Sequence, residues 1–154
     1  MTDDLRIQFL DMHNFRRSEL AKGNVARKNG NRYPIAANMA RMSYDCSLET
    51  EALSYTRQCP YAKSGSTNVG ENFFRVSGLN TWADGVNQAV TSWWKVVRAG
   101  SSGVGVNAVT FRQVHVGTDI ESWSQMAWAT TNKVGCSIVK CLNEYVVDCR
   151  YLEK

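Results

Sequence analysis

Five cysteines in a chain of 154 residues constrain this sequence more than any other feature. Cys46, Cys59, Cys136, Cys141 and Cys149 match neither the ligand spacing of a zinc ribbon nor a Cys-x-x-Cys redox pair, so disulfides are the better reading. Disulfides persist in oxidising compartments, which points to a secreted, extracellular protein. A chain this long can bury a core without staples, so the bridges reinforce a packed domain rather than replace one. The odd count leaves one thiol over, either free or paired with a cysteine outside this segment. Spacing alone leaves the pairing open.

The length suits one domain, 1–154. No run approaches the roughly 18 apolar residues of a membrane span. The start, Met1-Thr2-Asp3-Asp4, has neither a basic region nor an apolar one, so an uncleaved secretory signal is not expected there. The net charge is +4, with Arg6, Arg16, Arg17, Lys22, Arg27, Lys28, Arg32 and Arg41 crowding the first 41 residues. Stacking aromatics do not interleave them, which argues against nucleic acid and for a solvated face or a patch for an acidic partner.

Helical spacing appears first at Leu5, Phe9, Met12 and Arg16, behind the capping candidates Thr2 and Asp3, and predicts a helix to about Leu20. Lys22 to Tyr33 reads as a loop. Ala36, Met39, Ala40 and Met42 suggest a second helix. Leu48, Ala52, Tyr55 and Cys59 fall at i, i+4, i+7 and i+11 and give a third, ended by Pro60. Tyr61 to Thr81 is rich in Gly, Ser and Asn and reads as an irregular functional loop anchored by Phe73 and Phe74. Val86, Val90, Trp93 and Val97 mark a fourth helix, closed by Gly100 to Gly105. Short β-like runs follow at Thr110-Phe111, Trp123 to Ala129, Ser137 to Val139 and Tyr145 to Val147. Helices followed by strands imply an α+β domain or a layered α-β-α one.

Ser122-Trp123-Ser124-Gln125-Met126-Ala127-Trp128 resembles the first signature of the CAP (SCP/TAPS) superfamily, and Val146-Val147-Asp148-Cys149-Arg150-Tyr151 resembles the start of the second. The usual continuation of the second signature through Pro and Gly-Asn is missing, so the segment is either truncated or divergent. Met12-His13-Asn14 with Arg17, Tyr44-Asp45-Cys46, Gly70-Glu71-Asn72-Phe73 and Gly135-Cys136 support the likeness in order along the chain. Tyr44-Asp45-Cys46 and the cysteine placement look most like activation-associated secreted proteins of parasitic nematodes. The resemblance implies a three-layer α-β-α sandwich.

In many members of that superfamily two His and two Glu in a central cleft hold a divalent metal. The matching positions here are Lys63, Glu71, Val96 and Ser122, so one ligand type of four remains and no metal or other cofactor is expected. Lys63 and Glu71 would form an ion pair instead. His13 and His115 lack an identifiable nucleophile and orienting acid, so His13 reads as structural and an enzyme is not expected. Trp93 and Trp128 read as core. Trp94, Trp123 or Trp82, if exposed beside Phe73 or Phe74, would form a contact patch.

The resemblance then implies a secreted module that binds a host receptor or cell-surface protein, modulating immune or haemostatic cells. Relatives include integrin antagonists, although no Arg-Gly-Asp sequence is present here. The alternative is a sterol or fatty-acid carrier, with the aromatic-rich fourth helix and the Gly/Ser/Asn loop lining an apolar pocket. A metal-dependent hydrolase is a disfavoured third reading. The oligomeric state is not encoded in any of these features.

Overall fold

The computed structural model describes residues 1–27, 29–99 and 111–154. The first helix, α1 (Asp3–Ala21), starts where the Thr2 hydroxyl accepts the Leu5 N–H, with Asp3 and Asp4 complementing the positive helix end. Its buried side is Phe9, His13, Arg17 and Leu20. Arg17 is therefore core rather than part of a solvated basic face. Its guanidinium donates to the carbonyls of Ala40, Met126, Trp128, Ala129 and Thr131. Lys28, in the same basic run, lies outside the described residues.

That guanidinium also explains why no helix forms over Ala36–Met42. The Ala40 carbonyl is held by Arg17, the Ala40 N–H donates to Ala129, and the Asn14 side chain takes both backbone groups of Met42. Backbone groups committed to tertiary partners cannot close helical turns. The segment instead leads without helical turns into β1 (Ser43–Tyr44).

Asp45 caps α2 (Cys46–Thr56) by accepting from the Ser47 and Leu48 N–H groups. The helix stops short of Cys59, whose backbone turns to φ 54°. The following stretch is not irregular throughout, because Gly70–Ser77 forms β2, paired antiparallel with β4 (Glu144–Tyr151) over all eight positions. Strand β2 lies at the sheet edge, where Glu71, Arg75 and Ser77 are partly or fully exposed and Asn72 is buried in hydrogen bonds, so no apolar alternation marks it. The helix α3 (Trp82–Ala99) buries Val86, Val90, Trp93 and Val97, the stripe read from sequence. Its anticipated glycine stop, 100–105, lies outside the described residues, as does Thr110.

Trp123 to Ala129 is not a strand. Ile120–Ala127 forms a helix, α4, with Ile120, Trp123, Ser124 and Met126 buried. Phe111 is likewise not in a strand, and a single 3-10 turn, Gln113–His115, follows it. The remaining two β-like runs extend into β3 (Lys133–Cys141) and β4, which pair antiparallel. The sheet order is β1-β3-β4-β2, with β1 parallel to β3.

Helix α2 covers one face of the sheet, while α1, α3 and α4 cover the other. The central strands are buried on both sides, giving a three-layer α-β-α sandwich with mixed helices and sheet. The approach of α2 to β3 is close enough that a Cβ at Gly135 would lie 2.4 Å from the Asp45 carbonyl oxygen and the Glu49 nitrogen. Cys59–Cys141 ties the chain after α2 to the end of β3, and Cys136–Cys149 crosses the two central strands. Cys46 is an exposed free thiol.

Candidate functional site

Lys63, Glu71, Val96 and Ser122 come from four separate segments, yet all line one open cleft of about 360 Å3 beside β2. Phe73, Phe74 and Trp93 supply its apolar wall, and Asp119 and Glu121 its acidic rim. The expected Lys63–Glu71 pair does not form. The Lys63 ammonium lies 2.8 Å from Glu121 Oε2 instead, a partner 58 residues away in the first turn of α4. Glu71 is committed elsewhere: it accepts the Ser64 N–H at 2.8 Å, the Ser64 hydroxyl at 2.8 Å and the Gly65 N–H at 3.2 Å. Its carboxylate holds the 64–65 turn in place.

The cleft offers a poor metal coordination set. Val96 has no donor atom, the Lys63 ammonium has no lone pair, and the Ser122 hydroxyl donates to the Asp119 carbonyl at 2.9 Å. Among the described residues no group of three or more His, Cys, Asp and Glu is arranged to hold a metal ion. The residues present do not fit the divalent ion that the resemblance implies.

A family model for the cysteine-rich secretory protein family, CAP, matches residues 10–151. This chain belongs to the CAP family. It is 35% identical to the Ancylostoma secreted protein of Ancylostoma caninum, a match covering 98% of this chain and 37% of that protein. Venom allergen 5.01 of Dolichovespula maculata is 26% identical, over 94% of this chain and 63% of the relative. The chain thus spans between about a third and two thirds of the length of these relatives. Among solved structures, NaASP2 with Zn2+ superimposes with a TM-score of 0.88 at 33% identity, covering 98% of this chain and 80% of the other. Na-ASP-1 gives 0.87 at 34% identity, covering 98% and 39%.

Beneath the cleft of this CAP chain runs a buried polar chain that sequence reasoning read only in part. His13 is fully buried, and since a carbonyl only accepts, its Nδ1–H donates to Phe9 O at 2.7 Å. Its Nε2 therefore accepts from the Tyr151 hydroxyl at 2.9 Å. Tyr151 in turn accepts from Asn72 Nδ2 at 3.1 Å, and Asn72 also donates to the Ser122 carbonyl at 2.9 Å. Burial pushes the His13 pKa down to about 4, so the imidazole is neutral and both its nitrogens are occupied. Arg17 and Arg16 reinforce that direction. The hydrogen-bonded chain links α1, β4, β2 and α4 beneath the cleft. His115 is also buried, and its Nδ1 accepts from the Arg112 N–H at 2.9 Å.

The tryptophans divide differently from the sequence reading. Trp93 is core and donates its indole N–H to the Phe73 carbonyl. Trp123 is fully buried and cannot form a contact surface, and Trp94 is half-buried against it with ring centroids 5.9 Å apart. Trp128, expected in the core, is 40% exposed, because α4 ends at Ala127 and its backbone turns extended there. Its ring borders a second, apolar cavity of about 440 Å3, lined also by Tyr33, Ile35, Met39, Phe111 and Trp123. The apolar pocket is thus built from the segment after Tyr33 and from α4, not from α3 and the Gly/Ser/Asn loop.

Proposed function

We propose that this chain is a secreted, non-catalytic binding protein that engages a protein on the surface of a host cell. Its CAP relatives include secreted and venom proteins by name, and no helix of the described residues is long and apolar enough to cross a membrane. The observation that carries the reading is the Lys63–Glu121 ion pair in a cleft whose family positions are otherwise occupied by valine, serine and a spent carboxylate. A scaffold that keeps its fold while its site loses ligands and a free base is suited to recognition through its surface. Neither histidine is free to serve as a base, since both hydrogen bond into the protein's own frame. Fluorescently labelled protein titrated onto intact mammalian blood cells tests the reading. Saturable binding that is unchanged by EDTA and abolished by pretreating the cells with trypsin is expected. Ester or peptide hydrolysis that appears on adding zinc would overturn the non-catalytic part.

The 440 Å3 apolar cavity favours a second reading, a sterol or fatty-acid carrier. Titration with labelled cholesterol and palmitate separates the two. Saturable uptake that a Trp128→Ser substitution weakens supports the carrier, and no uptake at solubility-limited ligand removes it.

A further inference from the structure

At the opposite end of β4 from Tyr151, the turn joining β3 to β4 carries Leu142, which is 94% exposed and has φ 56°. Both properties run against local economy. The left-handed region favours glycine or asparagine, and a leucine there costs about 1–2 kcal/mol. Full exposure returns none of that cost through packing. Strain of this kind survives only where surrounding structure fixes the backbone, and it concentrates at functional positions.

The surroundings do fix it. Leu142 follows Cys141, bridged to Cys59 with Cα atoms 5.8 Å apart, which puts the Leu142 Cα within about 9.6 Å of the Cys59 Cα across the bridge. Cys59 is the other non-glycine residue with positive φ among the described residues, so the left-handed backbone occurs at one half-cystine of this bridge and at the residue that follows the other. Two residues on, Tyr61 is 86% exposed, and the Arg75 guanidinium stacks on its ring at 4.1 Å. Arg75 also donates to the Cys59 and Pro60 carbonyls and pairs with Glu144 at the start of β4. A leucine and a tyrosine thus project from a frame made of a disulfide, a hairpin and one arginine.

We propose that this Leu142–Tyr61 knob is the protein-docking epitope of the chain, fitting an apolar pocket with a carboxylate rim on the partner protein. It rests on the binding function proposed above. A leucine on a fixed backbone and a tyrosine ring already held by Arg75 supply apolar area at a reduced entropic cost of ordering. The charge around the knob selects the rim. Arg75 and Glu144 neutralise each other, whereas Arg57, two residues before Cys59, and Lys140, next to Cys141, are exposed and in no ion pair among the described residues. The surplus is positive, which complements an acidic partner and speeds encounter.

Leu142→Gly is the decisive variant, because glycine is unstrained at φ 56° and the substitution removes the side chain without opening a cavity. Its urea midpoint and near-UV circular dichroism are expected to match or exceed those of the parent, while its affinity for intact blood cells falls at least about tenfold. Tyr61→Ser is expected to weaken binding in the same assay. The double reversal Arg57→Glu and Lys140→Glu should slow association most at low salt. If the parent binds saturably and Leu142→Gly binds equally well, the knob is not the epitope, although the binding function stands. No binding by the parent, or binding that survives trypsin treatment of the cells, overturns that function itself and the knob with it.

Discussion

Replacing Cys59 and Cys141 by alanine should cost this protein far more than the loss of two small side chains, because the bridge closes a loop of 82 residues. The chain-entropy relation gives about 15 cal/mol/K for a loop of that length, or about 4.5 kcal/mol at 25 °C. The same relation gives about 2.9 kcal/mol for Cys136–Cys149, which closes only 13 residues. The shorter bridge is fully buried, however, so its removal also leaves a core cavity worth about 1–2 kcal/mol. The two deletions therefore approach each other in total cost by different routes. Urea unfolding followed by tryptophan fluorescence separates them. Opening the long loop lets the unfolded chain expand and raises the m-value, whereas opening the short loop leaves it nearly unchanged. For an m-value of about 2 kcal/mol/M, the Cys59/Cys141 variant should lose about 2 M in midpoint. A loss below about 0.5 M, or a larger rise in m for the Cys136/Cys149 variant, would refute the loop-length reasoning.

Stability should depend on pH through two buried groups acting in opposite directions. Burial, with the Glu71 charge adding to it and Arg150 opposing, lifts the Asp148 carboxyl to about 8, so its contribution is complete below about pH 4 and is lost as pH rises through 8. His13, lowered to about 4, contributes above about pH 6.5 and loses that contribution as pH falls. The two largely cancel from about pH 4 to 6.5, and stability declines from about 6.5 to 8. Asp148→Asn should abolish that decline in urea midpoints taken across the range, and a persistent decline would exclude Asp148 as its source. Arg17→Lys should lose several kcal/mol by thermal circular dichroism, because one ammonium cannot serve the five carbonyls that the guanidinium reaches. A loss below about 1 kcal/mol would mean that those carbonyls find other donors. The triple change Lys63→His, Val96→Glu and Ser122→His should create zinc binding measurable by calorimetry where the parent shows none. Equal heats for the two proteins would mean that the four positions do not converge as described.

The helices α1, α2 and α3 were legible because each repeats apolar or buried residues at the α-helical period, and α1 also begins at a side-chain cap, Thr2; the Asp45 cap of α2 emerges only from the structure. Three elements were not, each for a tertiary reason. Strand β2 is half polar because Glu71, Arg75 and Asn72 serve tertiary hydrogen bonds and ion pairs rather than an apolar face. The eight residues of α4 are too few to separate helical from extended periodicity when Trp and Ser alternate within them. The Ala36–Met42 run has a helical composition but lends its backbone groups to Arg17 and Asn14. In the cleft, the four residues matched through the resemblance, Lys63, Glu71, Val96 and Ser122, line one cavity. Residue matching could not pair Lys63 with Glu121, since nothing local relates residues 58 apart, and it assigned Glu71 to a lysine rather than to the turn it holds. The Leu142 knob left no sequence signal beyond an ordinary leucine before an asparagine, and its exposure and backbone sign emerge only from the hairpin.

The hydrogen-bonded chain from Phe9 through His13, Tyr151 and Asn72 to the Ser122 carbonyl gives the cleft a floor shared by two helices and two strands. Change at any of its nodes disturbs all four elements at once, so variation there is penalised across the whole domain. On the rim, the Lys63–Glu121 pair joins only the loop after α2 to the start of α4. A charge change at the mouth therefore perturbs two segments, whereas a change at the base perturbs four.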